Sequence, residues 1–471
     1  MPISRRVWLT SAAAVSGGFY GLQRLQQLAA RHRRLNALRA PGYGPLVADP
    51  QRRLDLPAGF TYRIIGWAGM TMDDGLRLPA EPDGMGAFRG PEGLTLLVRN
   101  HELNPDGEGP WGPGGRLLDQ VDRDRLYDQG QGKTPGCGGT TTIVYDTGRQ
   151  KVVRQFLSLA GTWRNCAGGP TPWNSWISCE ETVAQAGTNW DQPQPYFAER
   201  NHGYNFEVPA TSRPRLTPAV PLKSMGRFNH EAVAFDVPSG VVYQTEDRGD
   251  GLFYRFLPSK PGELQAGGVL QALAVADRTG ADTRNWGPRA GEFHLGESHP
   301  VKWIDLQQID APRDDLRYRG REQGAACFAR GEGIWAAPGA CYFVCSSGGA
   351  RQQGQIWRYR PSDFEGTATE REHPGQIELF VETNAPELLA WADNITVAPW
   401  GDLLVCEDRN GDTVRLVGVT PSGKLYTFAH NHIGAEFAGA TFAPDGSTLF
   451  VNLQEVGLTL AIVGPWRQRR A

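Results

Sequence analysis

Acidic side chains, a thiol and several arginines recur along this chain at the ends of short apolar stretches. Ser178-Cys179-Glu180-Glu181 sets a thiol beside two carboxylates. Adjacent carboxylates raise one another's pKa unless a cation compensates. A multivalent metal supplies that compensation and holds a thiol as thiolate. Asn100-His101-Glu102 closes another apolar run. Arg227-Phe-Asn229-His230-Glu231 opens a third, which Glu246-Asp247-Arg248 ends. Arg330-Gly-Glu332, Asp393-Asn394 and Glu407-Asp408 repeat the theme. Carboxylates bind cations, and arginines bind phosphate oxygens in pairs of hydrogen bonds. The candidate metal ligands are Cys179, Glu180, Glu231, Glu332, Asp393, Glu102, Glu246, Asp247 and Glu407. The candidate anion-binding groups are Arg330, Arg248 and Arg227. So many oxygens suit a hard cation such as Ca²⁺, whereas one thiolate argues for a transition metal at one subsite. Each motif alone also fits a solvated turn, so the inference rests on their recurrence.

The elements that position these groups are hairpins. Residues 231–247, 393–408, 332–347 and 438–454 share one pattern: an opening residue, an apolar stretch, a Pro/Gly/Asp turn, and an apolar strand ending in polar residues. Looser copies run over 167–181 and 83–102. Six hairpins of one kind predict a six-bladed β-propeller, an all-β single domain whose equivalent hairpin ends face one channel. The 59 glycines and 34 prolines among 471 residues suit many strands and tight turns. Runs 104–135, 184–223, 258–314 and 363–376 read as long loop insertions. Leu458–Val463 reads as a strand that closes the ring against one from the other terminus.

Residues 1–40 read as an export segment and connector, and 41–471 as the propeller. Ser4-Arg5-Arg6-Val7-Trp8-Leu9-Thr10 resembles a twin-arginine export motif, with Trp8 in the usual Phe place. The expected partner is the twin-arginine machinery and the expected location is periplasmic. No A-x-A site stands out, which leaves room for an N-terminal membrane anchor. A net charge of −3 without a basic block in the body disfavours nucleic acid. Seven cysteines without a CxxC pair argue against a zinc ribbon. His430-Asn431-His432 would put two imidazoles on one strand face, but no acid flanks it closely, so it reads as a polar turn. Gly132-Lys133-Thr134 mimics the end of a P-loop but reads as a turn, because Tyr127 stands where the first glycine belongs. A GxSxG elbow and an HExxH helix are both missing.

Asn100-His101-Glu102, Cys179-Glu180-Glu181, Gly226-Arg227-Phe228 with His230-Glu231, and Thr245-Glu246-Asp247 together resemble the PhoX-type alkaline phosphatases. Pro444-Asp-Gly-Ser-Thr-Leu-Phe-Val-Asn452 adds a weaker match. The resemblance implies a six-bladed periplasmic enzyme with ferric iron (Fe³⁺) and calcium, hydrolysing phosphate monoesters. It implies Cys179 as an iron ligand and Glu180, Glu231, Glu332 and Asp393 as iron or calcium ligands. It implies phosphate contact by Arg330. Ala392 before Asp393-Asn394, where proline is usual, and Trp8 depart from the family pattern. The reading is therefore a monomeric metal-dependent phosphatase of monoesters, with diesters as a further substrate class, in which a cation-held oxygen attacks phosphorus. A calcium-dependent lactonase or esterase, and a non-catalytic binding propeller, are the alternatives.

Overall fold

The computed structural model describes residues 35–468 apart from 132–134, 188, 191–195, 410 and 412–413. The export motif and the Gly132–Thr134 turn lie outside the described residues. No described helix is long and apolar enough to cross a membrane.

The six predicted hairpins are present, and each forms the inner pair of a blade. The inner strands are Pro82–Arg89, Asn165–Pro170, His230–Phe235, Gly331–Ala337, Ala392–Val397 and Phe437–Phe442. Each packs against the next, and the sixth packs against the first, so they close a ring. Blade one continues outward through Thr95–His101, Gly138–Asp146 and Lys151–Thr162. In blade six the outermost strand is Thr61–Trp67 from the N-terminal side, paired antiparallel with Leu458–Val463. That pairing is the ring closure expected from sequence. Next to it, Phe60 packs edge-on to Trp466 with centroids 4.7 Å apart, and Tyr43 to Phe60 at 5.0 Å. Such aromatic pairs contribute about 0.5–1.5 kcal/mol each beyond area burial. Chain-end segments thus hold one another.

Apolar side chains fill the wedges between blades. Phe88, Val98, Trp176 and Phe206 pack between blades one and two, and Val344, Ile356, Ile395 and Val405 between four and five. Near the axis the backbones approach too closely for side chains. A Cβ on Gly169 would lie 1.9 Å from the Val233 carbonyl oxygen of the next blade.

Two of the runs read as loops contain strands. Run 258–314 supplies Gly268–Val275 and Ser298–Asp305, which extend blade three and bridge it to blade four. Run 184–223 supplies Asn205–Pro209, the third strand of blade two. Their polar and glycine residues hid the alternation; Asn205–Pro209 lies at a sheet edge, whereas Gly268–Val275 and Ser298–Asp305 are paired on both sides. Residues Leu38–Ala40, assigned to the connector, already dock on blade five through backbone bonds with Leu425.

Candidate active site

A single local device aims the site. Every inner strand carries a bulge at the same place in its ladder. The register shifts between Pro82 and Met85, Asn165 and Gly168, His230 and Val233, Gly331 and Ile334, Ala392 and Ile395, and Ala438 and Thr441. A bulge leaves one residue unpaired and re-aims its side chain. The first bulged residues are Asp83, Cys166, Glu231, Glu332, Asp393 and Gly439. Five of six blades therefore deliver a carboxylate or a thiol to the axis. Blade six delivers glycine because space is lacking: a Cβ there would sit 2.2 Å from the Asp83 carbonyl oxygen.

The second strand of each hairpin sorts its terminal residues by alternation. The last ladder residue turns away from the axis, and the next one turns toward it. Glu180 turns away, accepting from Trp163 N at 3.0 Å and Gly203 N at 2.8 Å, and pairing with His202 Nδ1 at 2.6 Å. Glu246 turns away to Leu252 N at 3.0 Å and the Tyr254 hydroxyl at 2.8 Å. Glu407 turns away to Ala390 N and to Arg415, whose Nε donates at 2.8 Å. Glu102, Glu181 and Asp247, one residue later in their copies, face the axial groups.

The axial cluster comprises Asp83, Glu102, Cys166, Glu181, Glu231, Asp247, Glu332 and Asp393. Ligand-type atoms of Asp83, Glu102 and Cys166 lie within 4.8 Å of one another, as do those of Cys166, Glu181 and Glu231, and of Glu231, Glu332 and Asp393. The Cys166 thiol donates to Asp83 Oδ2 at 3.1 Å and Glu231 Oε1 at 3.2 Å. Gln454 Nε2 donates to Asp83 Oδ2 at 3.0 Å and Glu102 Oε2 at 2.8 Å. Ser346 Oγ donates to Glu332 Oε1 at 2.6 Å. Two guanidinium groups border the cluster. Arg330 donates to both Asp247 oxygens at 2.8 and 2.9 Å and lies 3.1 Å from Glu332 Oε1. Arg164 lies 2.7 Å from Glu102 Oε1 and bonds Glu181. Both arginines stand two residues before their bulged residue with positive φ, Arg164 at 46° and Arg330 at 54°. They are equivalent positions of the repeat, in blades two and four.

Relative to the candidates from sequence, Glu102, Glu231, Asp247, Glu332, Asp393 and Arg330 meet in the cluster. Cys179, Glu180, Glu246, Glu407 and Arg227 do not. Cys179 is fully buried in an apolar cluster with Ile177, Val233 and Phe256. Arg227 is fully buried, with its guanidinium bonded to the carbonyls of His202, Ala311, Val183 and Ala184. Its work is to hold backbone. Arg248 lies beside the cluster, donating to Asn229 Oδ1 at 2.9 Å and lying 3.4 Å from Asp314 Oδ2. Asp83, Cys166 and Arg164 are absent from the candidates read from sequence, and Glu181 stands there only within the Cys179-Glu180-Glu181 motif. A signal existed: Arg164-Asn-Cys166 has the spacing of Arg330-Gly-Glu332.

The electrostatics require a counter-charge. Among the described residues, seven carboxylates (Asp83, Glu102, Glu181, Glu231, Asp247, Glu332, Asp393) are paired within the cluster with two guanidinium groups, Arg164 and Arg330. Two such charges at 4.8 Å repel by about 3.5 kcal/mol at an effective dielectric of about 20, roughly 2.5 pKa units. Burial and then the charges of Glu102 and Asp393 push Asp83 well up; burial with Glu332 and Asp393 does the same to Glu231. Asp393 rises to about 8 through burial and Asp408. Burial and its acidic neighbours push the Cys166 thiol up. Glu231 Oε2 is buried without a hydrogen-bond partner. One orphaned oxygen, mutually repelling acids and one thiol form a donor set that fits bound cations: oxygens for hard ions, sulfur beside Asp83 and Glu231 for a softer one.

Comparison with known proteins gives a family and a fold. The alkaline phosphatase PhoX family model matches residues 41–457. Among solved structures, Pseudomonas fluorescens PhoX in complex with vanadate, a transition state analogue, superposes with a TM-score of 0.65. It is 19% identical, and the match covers 89% of this chain and 97% of that one. The gluconolactonase XC5397 from Xanthomonas campestris matches at a TM-score of 0.38 and 11% identity, covering 90% of this chain and 98% of that one. No curated protein sequence matches the chain significantly. With nearly the whole ring matched by one family model, the chain belongs to the PhoX alkaline phosphatases, metal-dependent phosphoric monoester hydrolases.

Proposed function

We propose that this chain is exported and hydrolyses phosphate monoesters with calcium and iron held by its axial cluster. One observation carries the reading: six equivalent bulges direct five anionic or thiol side chains onto one axis, with too few arginines to balance them. Asp83, Glu181, Glu231, Glu332 and Asp393 would hold the cations through oxygen, and Cys166 through sulfur. Bound cations supply positive charge against the phosphoryl oxygens and the leaving alkoxide.

The remaining steps fall to the chain's own residues. Loading requires Cys166 Sγ to lose the proton it now shares between Asp83 and Glu231. Arg330, with 42% of its side chain exposed, is the group that reaches solvent beside the cluster, and Arg164 does so at 33%. Their guanidinium groups would orient the phosphate by its non-bridging oxygens and offset the charge that shifts in the transition state. Asp247 fixes the plane of Arg330 through two parallel bonds. Gln454 bridges Asp83 and Glu102 by donating to both. No side-chain nucleophile is needed, in line with the missing serine-hydrolase motif. Export rests on the twin-arginine resemblance at Ser4–Thr10.

The test is elemental analysis of protein exported by its native route, with hydrolysis assays on a phosphomonoester and a phosphodiester. Iron with several calcium ions, turnover of the monoester and inhibition by vanadate are expected, since a five-coordinate oxyanion mimics phosphoryl transfer. Calcium alone with lactone turnover, or a metal-loaded protein inert toward monoesters, would overturn the proposal.

A further inference from the structure

A second group of metal-type ligands lies away from the axis, on the outer part of blade five. The strand Leu54–Pro57 adds to Leu425–Asn431, and Asp55 stands directly opposite His430. His430 and His432 are two residues apart, so their imidazoles share one face, with ring centroids 4.4 Å apart. His432 Nε2 lies 2.8 Å from Asp55 Oδ2. One ligand-type atom from each of the three residues lies within 4.8 Å of the others.

We propose that Asp55, His430 and His432 form a binding site for a divalent transition ion of the Zn²⁺ class, distinct from the axial cluster. Bonds of about 2.0–2.1 Å at a tetrahedral angle put ligand atoms about 3.3 Å apart. The group brackets that spacing, from 2.8 Å to at most 4.8 Å. Two imidazoles and one carboxylate favour a borderline ion over calcium, and no thiol competes. The carboxylate is already oriented: Asp55 Oδ1 accepts from Asp49 N at 2.8 Å, which leaves Oδ2 for the metal. His432 is anchored by its own N–H to the Arg53 carbonyl at 3.0 Å. Arg415, the cross-strand neighbour of His430, is already bound through Nε to Glu407 Oε2 at 2.8 Å, so its charge is matched. Half-burial of all three residues leaves a path to solvent and room for a water ligand.

The site's place in the chain gives it a task. Asp55 and His430 are 375 positions apart, and the strand bearing Asp55 immediately precedes the strand that closes the ring. Asp49, which orients Asp55, also accepts from the Tyr62 hydroxyl of that closing strand at 2.8 Å. An ion here would clamp the N-terminal edge of the propeller to blade five.

Co²⁺ titration of the metal-loaded enzyme tests this directly. One equivalent should bind with visible d–d bands of nitrogen and oxygen ligation and without thiolate charge-transfer absorption. Asp55→Asn and the pair His430→Asn/His432→Gln should each lose that equivalent, or bind it at least a hundredfold more weakly, with phosphatase activity unchanged. Zn²⁺ should displace Co²⁺ and raise the Tm of the wild type but not of the variants. Equal stoichiometry in wild type and variants would overturn the site. So would a wild-type Co²⁺ spectrum with no nitrogen/oxygen bands, a measurement that needs no variant to fold.

Discussion

Gly439→Ala isolates the geometric requirement of the axis. Gly439 holds a φ of 59°, and a Cβ there would meet the Asp83 carbonyl oxygen at 2.2 Å and Asn452 Nδ2 at 2.7 Å. Asn452 Nδ2 itself donates to that carbonyl at 2.6 Å, and Gly439 N donates to Asn394 Oδ1 at 3.1 Å, so neither neighbour has slack. An ordinary carbon–oxygen contact needs roughly 3.2 Å, so Asp83 must retreat by about 1 Å in a close-packed ring. The left-handed backbone costs an alanine about 1–2 kcal/mol in addition. A 1 Å misplacement at a reacting centre lowers turnover by about 10²-fold. The control is Gly280→Ala: φ is 67°, but nothing lies within 4 Å of the added carbon, so it carries the backbone cost alone. The assay is kcat/KM on a phosphomonoester beside Tm and metal content. The expected result is a loss of about a hundredfold for Gly439→Ala, wild-type kcat/KM for Gly280→Ala, and a lower Tm for both. Full activity with full metal content in Gly439→Ala would refute the claim that the Asp83 position is critical.

Cys166→Ser should lower bound metal and activity, because a serine hydroxyl does not ionise near neutral pH. Cys179→Ser should keep both and cost about 1–3 kcal/mol for a hydroxyl in an apolar cluster; elemental analysis and denaturant titration separate the two. Arg330→Gln should weaken competitive inhibition by inorganic phosphate by about 10–150-fold, the worth of a hydrogen bond to a charged group of about 1.5–3 kcal/mol; an unchanged inhibition constant would remove Arg330 from the site. Arg227→Gln should leave that constant alone and lower Tm. His202 is buried between Glu180 and Asp128. Burial pulls its pKa down, but the two carboxylates outweigh burial and the net shift is upward. The bonus from its protonated form is complete below the unfolded value of about 6.5 and fades as pH rises through the higher folded value. Urea midpoints should therefore fall between pH 6 and pH 9 by more in wild type than in His202→Gln, and parallel profiles would exclude the linkage.

Much of the fold was legible because a hairpin repeat is a local signal. The turn types and apolar runs at 83–102, 167–181, 231–247, 332–347, 393–408 and 438–454 lie within a few residues of each other, and each copy became the inner pair of a blade. The site was less legible, and one residue of register explains why. In the second copy the sequence pattern opens at Ala167, one position after Cys166. Side chains alternate along a strand, so a slip of one exchanges the two faces. The motif marks Cys179 as the ligand, yet it points into apolar packing, and the thiol at the axis is Cys166. The motifs group Glu180, Glu246 and Glu407 with the acids that follow them, yet each directs its carboxylate to partners away from the axis.

The chain by itself determined a hairpin repeated six times, an apolar closing strand, and acids at the hairpin ends, because those features are encoded within windows of about twenty residues. Only the folded ring decided which acids meet. Bulges, set by strand pairing and by close approach around the axis, aim Asp83, Cys166, Glu231, Glu332 and Asp393 at one point. The same holds for Asp55 and the two histidines of blade five, which local sequence gave no reason to join. Ligand geometry depends on contacts between distant strands, and no local pattern of residues contains that information.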